Sequence, residues 1–364
     1  MLSYEQPTPF IVESTDYNDS YETPVLTAGK SFIIGYTDET SGIYDQLPVI
    51  IFDDFTTSTQ FVNFPFKVKS SAMKILTANE KLVLPKFIYY RMQIIEFDHS
   101  THKRYWIQQY SKIQVDLPPI DEQRRIVSRI EEMFSELDNS VSTLQKTKEQ
   151  LKVYRQAVLK DAFKGVVEKK PIRQMSEFVT SGSRGWAKYY ADEGARFIRI
   201  TDLTRDKIIL KNDSIQRVNL PEETEGKRSR LNPFDVLVSI TADLGSIALI
   251  PEDIEEAYIN QHIAMIRFEN PQLGEFMAWY LKSDYGQKDL LKNKRGGGKL
   301  GLGLDDIRDT PVPDVSDATS KKIVSEIESR LSVCDSIEHT VDTALQQAEA
   351  MRQSILKQAF EGRL

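Results

Sequence analysis

The sequence is short of cysteine, of long apolar runs and of surplus positive charge, and each shortage removes a class of protein. One cysteine, Cys334, in 364 residues can close no internal disulfide and seeds no cysteine-rich metal site. Its spacing puts it in a helix core, as a small apolar side chain. No run of eighteen apolar residues occurs, so no segment reads as a membrane span. The first residues, Met1 to Pro7, carry neither a basic nor an apolar stretch, and the expected location is the cytoplasm. A net charge of -7 and a pI near 5.4 argue against a chain that grips nucleic acid over a broad surface by itself. Residues 1–116 hold 10 Lys and Arg against 14 Asp and Glu, and residues 171–312 hold 20 against 22. Contact with nucleic acid has to come from local clusters or from a partner.

Catalytic motifs are also wanting. An adenine methyltransferase needs an Asn/Asp-Pro-Pro-Tyr/Phe turn, and the nearest strings are Asn232-Pro233-Phe234 and Asn63-Phe64-Pro65-Phe66. The run Gly296-Gly297-Gly298-Lys299-Leu300-Gly301-Leu302-Gly303 lacks the Gly-x4-Gly-Lys-Ser/Thr spacing of a phosphate-binding loop. The histidines His99, His102, His262 and His339 do not form a metal-ligand pattern. With Lys292, Lys294, Arg295 and Lys299 beside its glycines, the Gly-rich segment instead suits a clamp on DNA phosphates.

What is there is a repeat. Arg155-Gln156-Ala157-Val158-Leu159-Lys160-Asp161-Ala162-Phe163-Lys164-Gly165 returns 197 residues later as Arg352-Gln353-Ser354-Ile355-Leu356-Lys357-Gln358-Ala359-Phe360-Glu361-Gly362. The same offset carries Arg124-Arg125-Ile126-Val127-Ser128 onto Lys321-Lys322-Ile323-Val324-Ser325 without a gap. Each copy follows prolines (Pro118-Pro119; Pro311, Pro313) and then runs about forty residues without Pro or Gly, as a long helix does. Leu137, Val141, Leu144, Leu151, Val158 and Ala162 keep a 4-3 spacing broken by Lys148 and Arg155. Ile327, Leu331, Cys334, Val341, Leu345, Ala348, Ile355 and Ala359 do nearly the same, so both helices carry a coiled-coil seam. At 1.5 Å per residue such a helix is roughly 65 Å long, too long for an ordinary core helix, and pairing with its own repeat is the economical solution.

Residues 1–116 and 171–312 share a sequence of events. Pro48 to Asp54 and Asp235 to Thr241 read as buried strands, Ala72 to Leu76 and Ile263 to Phe268 as shorter ones, and Phe87 to Tyr90 and Phe276 to Tyr280 as helices. The expected fold is α+β: two mixed α/β domains, at 1–116 and 171–312, separated by an antiparallel coiled coil of two long repeated helices, at 117–170 and 313–364. A kept frame bearing two diverged heads suggests two readers with different targets.

The twofold pattern of Pro118, Pro119, Glu122, Gln123, Ile126 and Val127 at the start, with Gln-x-Val/Ile-Leu-Lys-x-Ala-Phe-x-Gly at the end, resembles the conserved regions of Type I restriction-modification specificity subunits. Copy two departs at its start, where Ala318-Thr319-Ser320 stand in place of Asp121-Glu122-Gln123. Pro24 to Lys30, Asp53 to Thr59 and Phe66 to Lys74 look like one class of first recognition domain in that family. Phe197 to Leu203 with Asn260-Gln261-His262 is similar to a class of second domain. The resemblance implies a non-catalytic, DNA-binding subunit in a heteromeric complex with two methylation subunits and, in some systems, two restriction subunits. S-adenosylmethionine, Mg and ATP would belong to those partners.

For contact with DNA, polar and basic side chains at strand ends are the candidates: Thr27, Lys30, Thr56, Thr57, Lys67, Lys69, Ser70 and Lys74 in the first head; Ser183, Arg184, Trp186, Lys188, Arg199, Thr201, Asp202, Arg295 and Lys299 in the second. For the helix pair or a partner subunit they are Ile126, Ile130, Phe134, Leu137, Val158, Phe163, Ile323, Ile327, Leu331, Ile355 and Phe360. A rival reading is a coiled-coil scaffold joining two protein-binding domains, which the acidic balance also fits.

Overall fold

The computed structural model describes residues 1–364 apart from 28–30, 99–103, 222–225, 293, 296–299 and the side chain of Lys227. The chain divides into two compact units: Met1–Leu144 with Asp342–Leu364, and Gln145–Val341. Both chain crossings between them, at 144/145 and 341/342, are 197 residues apart. The repeat seen in the sequence therefore also sets where the units divide.

In the first unit, β1 (Leu2–Glu5), β7 (Met73–Ala78), β4 (Val49–Asp53) and β5 (Thr59–Val62) form an antiparallel sheet in the order β1-β7-β4-β5. A smaller sheet joins β2 (Thr23–Leu26) to β3 (Ile33–Thr37) and, in parallel, to β6 (Lys67–Val68). Val49 and Ile51 face one core with Tyr44, Phe66 and Ile75; Ile50 and Phe52, one residue on, face another with Leu76 and Phe87. That is the period of two expected of a strand buried on both sides. Helix α1 (Pro85–Met92) covers the second face, and α2 (Ile120–Ala162) follows.

In the second unit, β8 (Lys169–Pro171) precedes β9 (Ser176–Ser181), β10 (Tyr190–Ala191), β11 (Ala195–Ile198), β12 (Arg217–Val218), β13 (Val236–Ser239), β14 (Ile247–Leu249), β15 (Ala257–Ile259) and β16 (Ile263–Phe268). One sheet runs β14-β13-β16-β9 and another β10-β12-β11-β15, the last pair parallel. Helices α3 (Gly274–Lys282), α4 (Asp284–Leu290) and α5 (Leu304–Arg308) follow; then β17 (Pro311–Pro313) pairs with β8, and α6 (Asp317–Phe360) ends the chain. The architecture is α+β, with two mixed domains and two long helices, as the sequence implies.

The two long helices pack antiparallel in both units. In the first, Ile130 clusters with Leu356 and Ala359, and Leu137 with Ala348 and Ile355; Ile126 and Phe134 lie partly buried beside them. In the second, Val158 shares a core with Ile327, Leu331 and Cys334, and Ile323 packs against it. Arg155 donates to Asp335 at 2.6 Å and to Glu338 at 2.9 Å, whereas Arg352 pairs with Asp138. Since Arg352 is the repeat of Arg155 and Asp335 of Asp138, the same two positions meet in both units with the copies' roles exchanged. This is the reciprocity of a self-complementary contact, here inside one chain.

The helix ends explain the conserved punctuation. Gly165 and Gly362 have φ of 86° and 72°, the left-handed turn that glycine adopts without a Cβ penalty. At the second of them Arg363 N donates to Gln358 O, closing the turn. Gln123 is fully buried; its amide donates to Leu82 O and Pro118 O and accepts from Leu84 N. Its repeat, Ser320, donates to Asp317 O within its own turn, so the tie that Gln123 makes between helix and head has no counterpart at this position among the described residues. Phe163 and Phe360, expected in the helix pair, also seat the heads: Phe163 packs on Phe276 and Tyr280 of α3, and Phe360 on Phe87 of α1. No helix among the described residues is long and apolar enough to cross a membrane.

Candidate nucleic-acid interface

In the second unit several strand ends meet along one edge. Ser183, just past β9, bridges Asn260, and Asn260 N donates to Ile198 O at the end of β11. At Gly182 an added Cβ would stand 1.8 Å from Ile259 O, so only glycine permits this approach. Asn260, Gln261 and His262 turn the chain from β15 into β16, with Asn260 Oδ1 accepting from His262 N at 3.1 Å. Ile240 N donates to His262 O, Leu302 N donates to Ile240 O, and Thr241 and Arg295 each bridge Gly301. A continuous run of backbone contacts thus leads from Ser183 to the base of the Gly-rich segment.

Cations line this edge. Gly182, Ser183, Arg184, Gly185, Trp186, Lys188, Tyr189 and Arg228 surround an open cavity of about 440 Å³. Arg184, Lys188 and Arg228 are exposed, and among the described residues none is ion-paired. Lys292 and Lys294 are likewise exposed, while Arg295, 76% exposed, is held by Asp306 at 2.5 Å. Unpaired cations beside close-approach backbone suit phosphate oxygens. Lys299 and residues 296–298 lie outside the described residues.

Some expected readers prove to be framework. Trp186 is 4% exposed, with its ring 5.5 Å from Phe197 and 5.4 Å from Tyr258; it is a wall of the cavity, not a stacking surface. Asp202 is 6% exposed and accepts from Arg199 N at 2.8 Å, capping the turn after β11. Arg199 itself reaches Ser214 O, and Thr201 stays exposed on the same turn.

The first head shows the same division. Thr27 and Lys69 sit side by side at the ends of β2 and β6, where Lys69 N donates to Leu26 O. Thr56 and Thr57 occupy the turn after β4, in which Asp53 Oδ1 accepts from Phe55 N and Thr56 N. Asp54 N donates to Ala72 O and so joins that turn to the loop carrying Ser70. Lys69, Ser70 and Thr56 are exposed, and Lys30 lies outside the described residues.

Lys67 and Lys74, by contrast, are internal, and their assignment to DNA is corrected. Lys67 is 3% exposed, 2.7 Å from Glu39 and 2.7 Å from Ser41 O. Burial pushes the Glu39 carboxyl up, but hydrogen bonds from Lys67 and the Ser14 and Glu13 amides outweigh it and hold it below the usual carboxylate range. Lys74 is 1% exposed and 3.0 Å from Asp54, whose other oxygen accepts from Trp106 N. Taking one partner out of a buried pair costs about 3–5 kcal/mol, so neither lysine turns outward to a phosphate.

The sequence places Gln123 and Gln261 within motifs but gives neither a role of its own, and it leaves the acidic side of the Arg155 pair without one. That acidic side left a signal, an aspartate recurring at the same place in both copies, Asp138 and Asp335. Gln261 left only its place in a short polar turn between two apolar strands.

No protein-family model matches the chain. It is 37% identical over 230 residues to the Type I restriction enzyme EcoR124I/EcoR124II specificity subunit of Escherichia coli, covering 59% of this chain and 56% of that protein. It is 25% identical over 280 residues to the EcoBI specificity subunit of Escherichia coli, covering 68% and 58%. A solved chain from work on complex assembly and conformational transition of the type I R-M system superposes over 100% of this chain and 98% of its own, with a TM-score of 0.68 at 14% identity. The class is therefore two-headed with paired long helices, a fold already solved in such a system. More particularly, the chain is a homologue of Type I restriction enzyme specificity subunits, and it spans a little over half the length of the two curated relatives just described.

Proposed function

We propose that this chain reads DNA sequence for a Type I restriction-modification complex and performs no chemistry itself. The observation that carries this is the pairing of a duplicated helix with its own copy, Arg155 with Asp335 and Arg352 with Asp138. It joins two unlike heads in a chain related to specificity subunits. The domains are taken as 1–116 and 171–312 for recognition and 117–170 and 313–364 for the helices. Each head reads one part of an asymmetric, two-part duplex target, and the helices set the spacing near one duplex turn, roughly 34 Å.

In the first head the contacts fall to Thr27, Lys30, Thr56, Thr57, Lys69 and Ser70. In the second they fall to Ser183, Arg184, Lys188, Arg199, Thr201, Arg295 and Lys299. An acidic chain needs help to hold a polyanion, and the proposed partners are two methylation subunits docked through the helices, with two restriction subunits in a complete system. S-adenosylmethionine, Mg and ATP serve those subunits, in the cytoplasm. A gel shift with the chain and its methylation partner tests the reading: sequence-selective retention of duplex DNA is expected. Absence of binding on any duplex would favour a protein scaffold instead.

A further inference from the structure

Gln261 stands in the polar turn of the second head's strand-end edge, and its side chain is oriented by a relay. Its amide nitrogen lies 2.9 Å from His262 Nε2, and His262 Nδ1 lies 2.6 Å from Thr241 Oγ1. An amide nitrogen donates and does not accept, so Nε2 is the ring's acceptor; the proton of the neutral ring then sits on Nδ1 and is donated to the threonine. Thr241 is fixed in turn by its bridge to Gly301. The turn does not need the glutamine amide to hold its shape, because His262 N donates to Asn260 Oδ1 and Ile263 N to Asn260 O.

One amide hydrogen is engaged by the ring; the second hydrogen and Oε1 have no protein partner among the described residues, and Oε1 is not sealed from solvent. A donor and an acceptor side by side on one amide are the complement of adenine in the major groove, N7 accepting and the N6 amino group donating. The hydrogen cis to Oε1 completes that fork when the trans hydrogen faces the ring. Arg184 and Lys188, both exposed, follow Ser183, which bridges the turn's first residue, Asn260.

We propose that Gln261, held by the Thr241–His262 relay, is an adenine-reading residue of the second head, with His262 its positioning residue. This rests on the DNA-reading function above and adds the base and the side chain to it. The test co-expresses the full chain with its methylation partner in a host lacking adenine methylation and sequences the methylome. Gln261→Ala is expected to relax one adenine position in one half of the target by about ten- to a hundredfold, leaving the other half intact. Gln261→Glu is expected to move that position toward cytosine, whose N4 amino group a carboxylate accepts. His262→Phe, which removes the ring acceptor, relaxes the same position more weakly. A target unchanged in Gln261→Ala and Gln261→Glu overturns the assignment alone. Loss of the whole target in every variant, Gln261→Asn included, also overturns it, because that is the mark of a structural role. A wild-type complex that selects no sequence sinks the DNA-reading function itself.

Discussion

Lys86 and Glu275 hold matching places at the two junctions between head and helix. Each immediately precedes the phenylalanine, Phe87 or Phe276, on which the repeated Phe360 or Phe163 packs. Each faces the same position of the repeated helix, Glu131 in the first unit and its repeat Glu328 in the second. In the first unit this makes an ion pair between Lys86 and Glu131 at a half-exposed site. In the second it makes a pair of carboxyls: burial pushes Glu275 up, the hydrogen bond and charge of Glu328 push it further, and its pKa reaches about 7. One frame thus supports a junction that neutral pH favours and another that it opposes. The apolar contact is what the duplication preserved; the charges were free to change.

The largest expected difference between the junctions is apolar. Phe163 is 3% exposed between Phe276 and Tyr280, and Phe163→Ala should cost about 3–4 kcal/mol. Phe360, partly exposed, should cost roughly half as much in the same denaturant titration. Equal losses would mean that the two heads are seated alike.

Next comes the reciprocal arginine. Arg155 is 5% exposed, and Arg155→Ala should cost about 3 kcal/mol by leaving Asp335 and Glu338 to Lys207 alone. Its repeat, 28% exposed against an Asp138 that is 59% exposed, should cost under about 1 kcal/mol. Burial pushes the Asp335 carboxyl up, but Arg155 and Lys207 more than offset it and hold it low. Its contribution is therefore present above the ordinary carboxylate pKa and lost as pH falls through the lowered one. Thermal melts of the two variants at pH 7 and pH 3 check both the order and the sign.

Glu275 has the opposite sign. A carboxyl raised from 4.5 to about 7 stabilises the fold fully below 4.5, and that contribution is lost as pH rises through 7. Glu275→Gln should raise the stability of the second unit at pH 8 by about 1–2 kcal/mol, after discounting for its partial exposure, and leave it unchanged at pH 4. The smallest effect is on the other side: Glu131→Gln should cost under about 1 kcal/mol, with little dependence on pH between 6 and 8. If both junctions responded alike to pH, the contrast drawn between them would fail.

Much of the fold was legible because its main signals are local. Helix seams, proline starts and glycine stops lie within a few residues of what they control, and the 197-residue offset exposes the pairing without any knowledge of contacts. The site was less legible because its decisive contacts are remote. Lys67 and Lys74 look like groove-facing cations until Glu39 and Asp54 are found beside them. Trp186 looks like a DNA contact until Phe197 and Tyr258 close over it. Gln261 gains its meaning only through Thr241, twenty residues earlier and just past the end of β13.

Under the proposed function, two unlike readers are held at a distance set by the paired helices. Inserting one heptad after Leu144 and another after Val341 lengthens both helices at matching positions, by roughly 10 Å, and leaves the packing inside each unit as it is. Methylome sequencing with the methylation partner should then show both halves of the target unchanged and the gap between them longer by about three base pairs. An unchanged gap with altered halves would contradict the account.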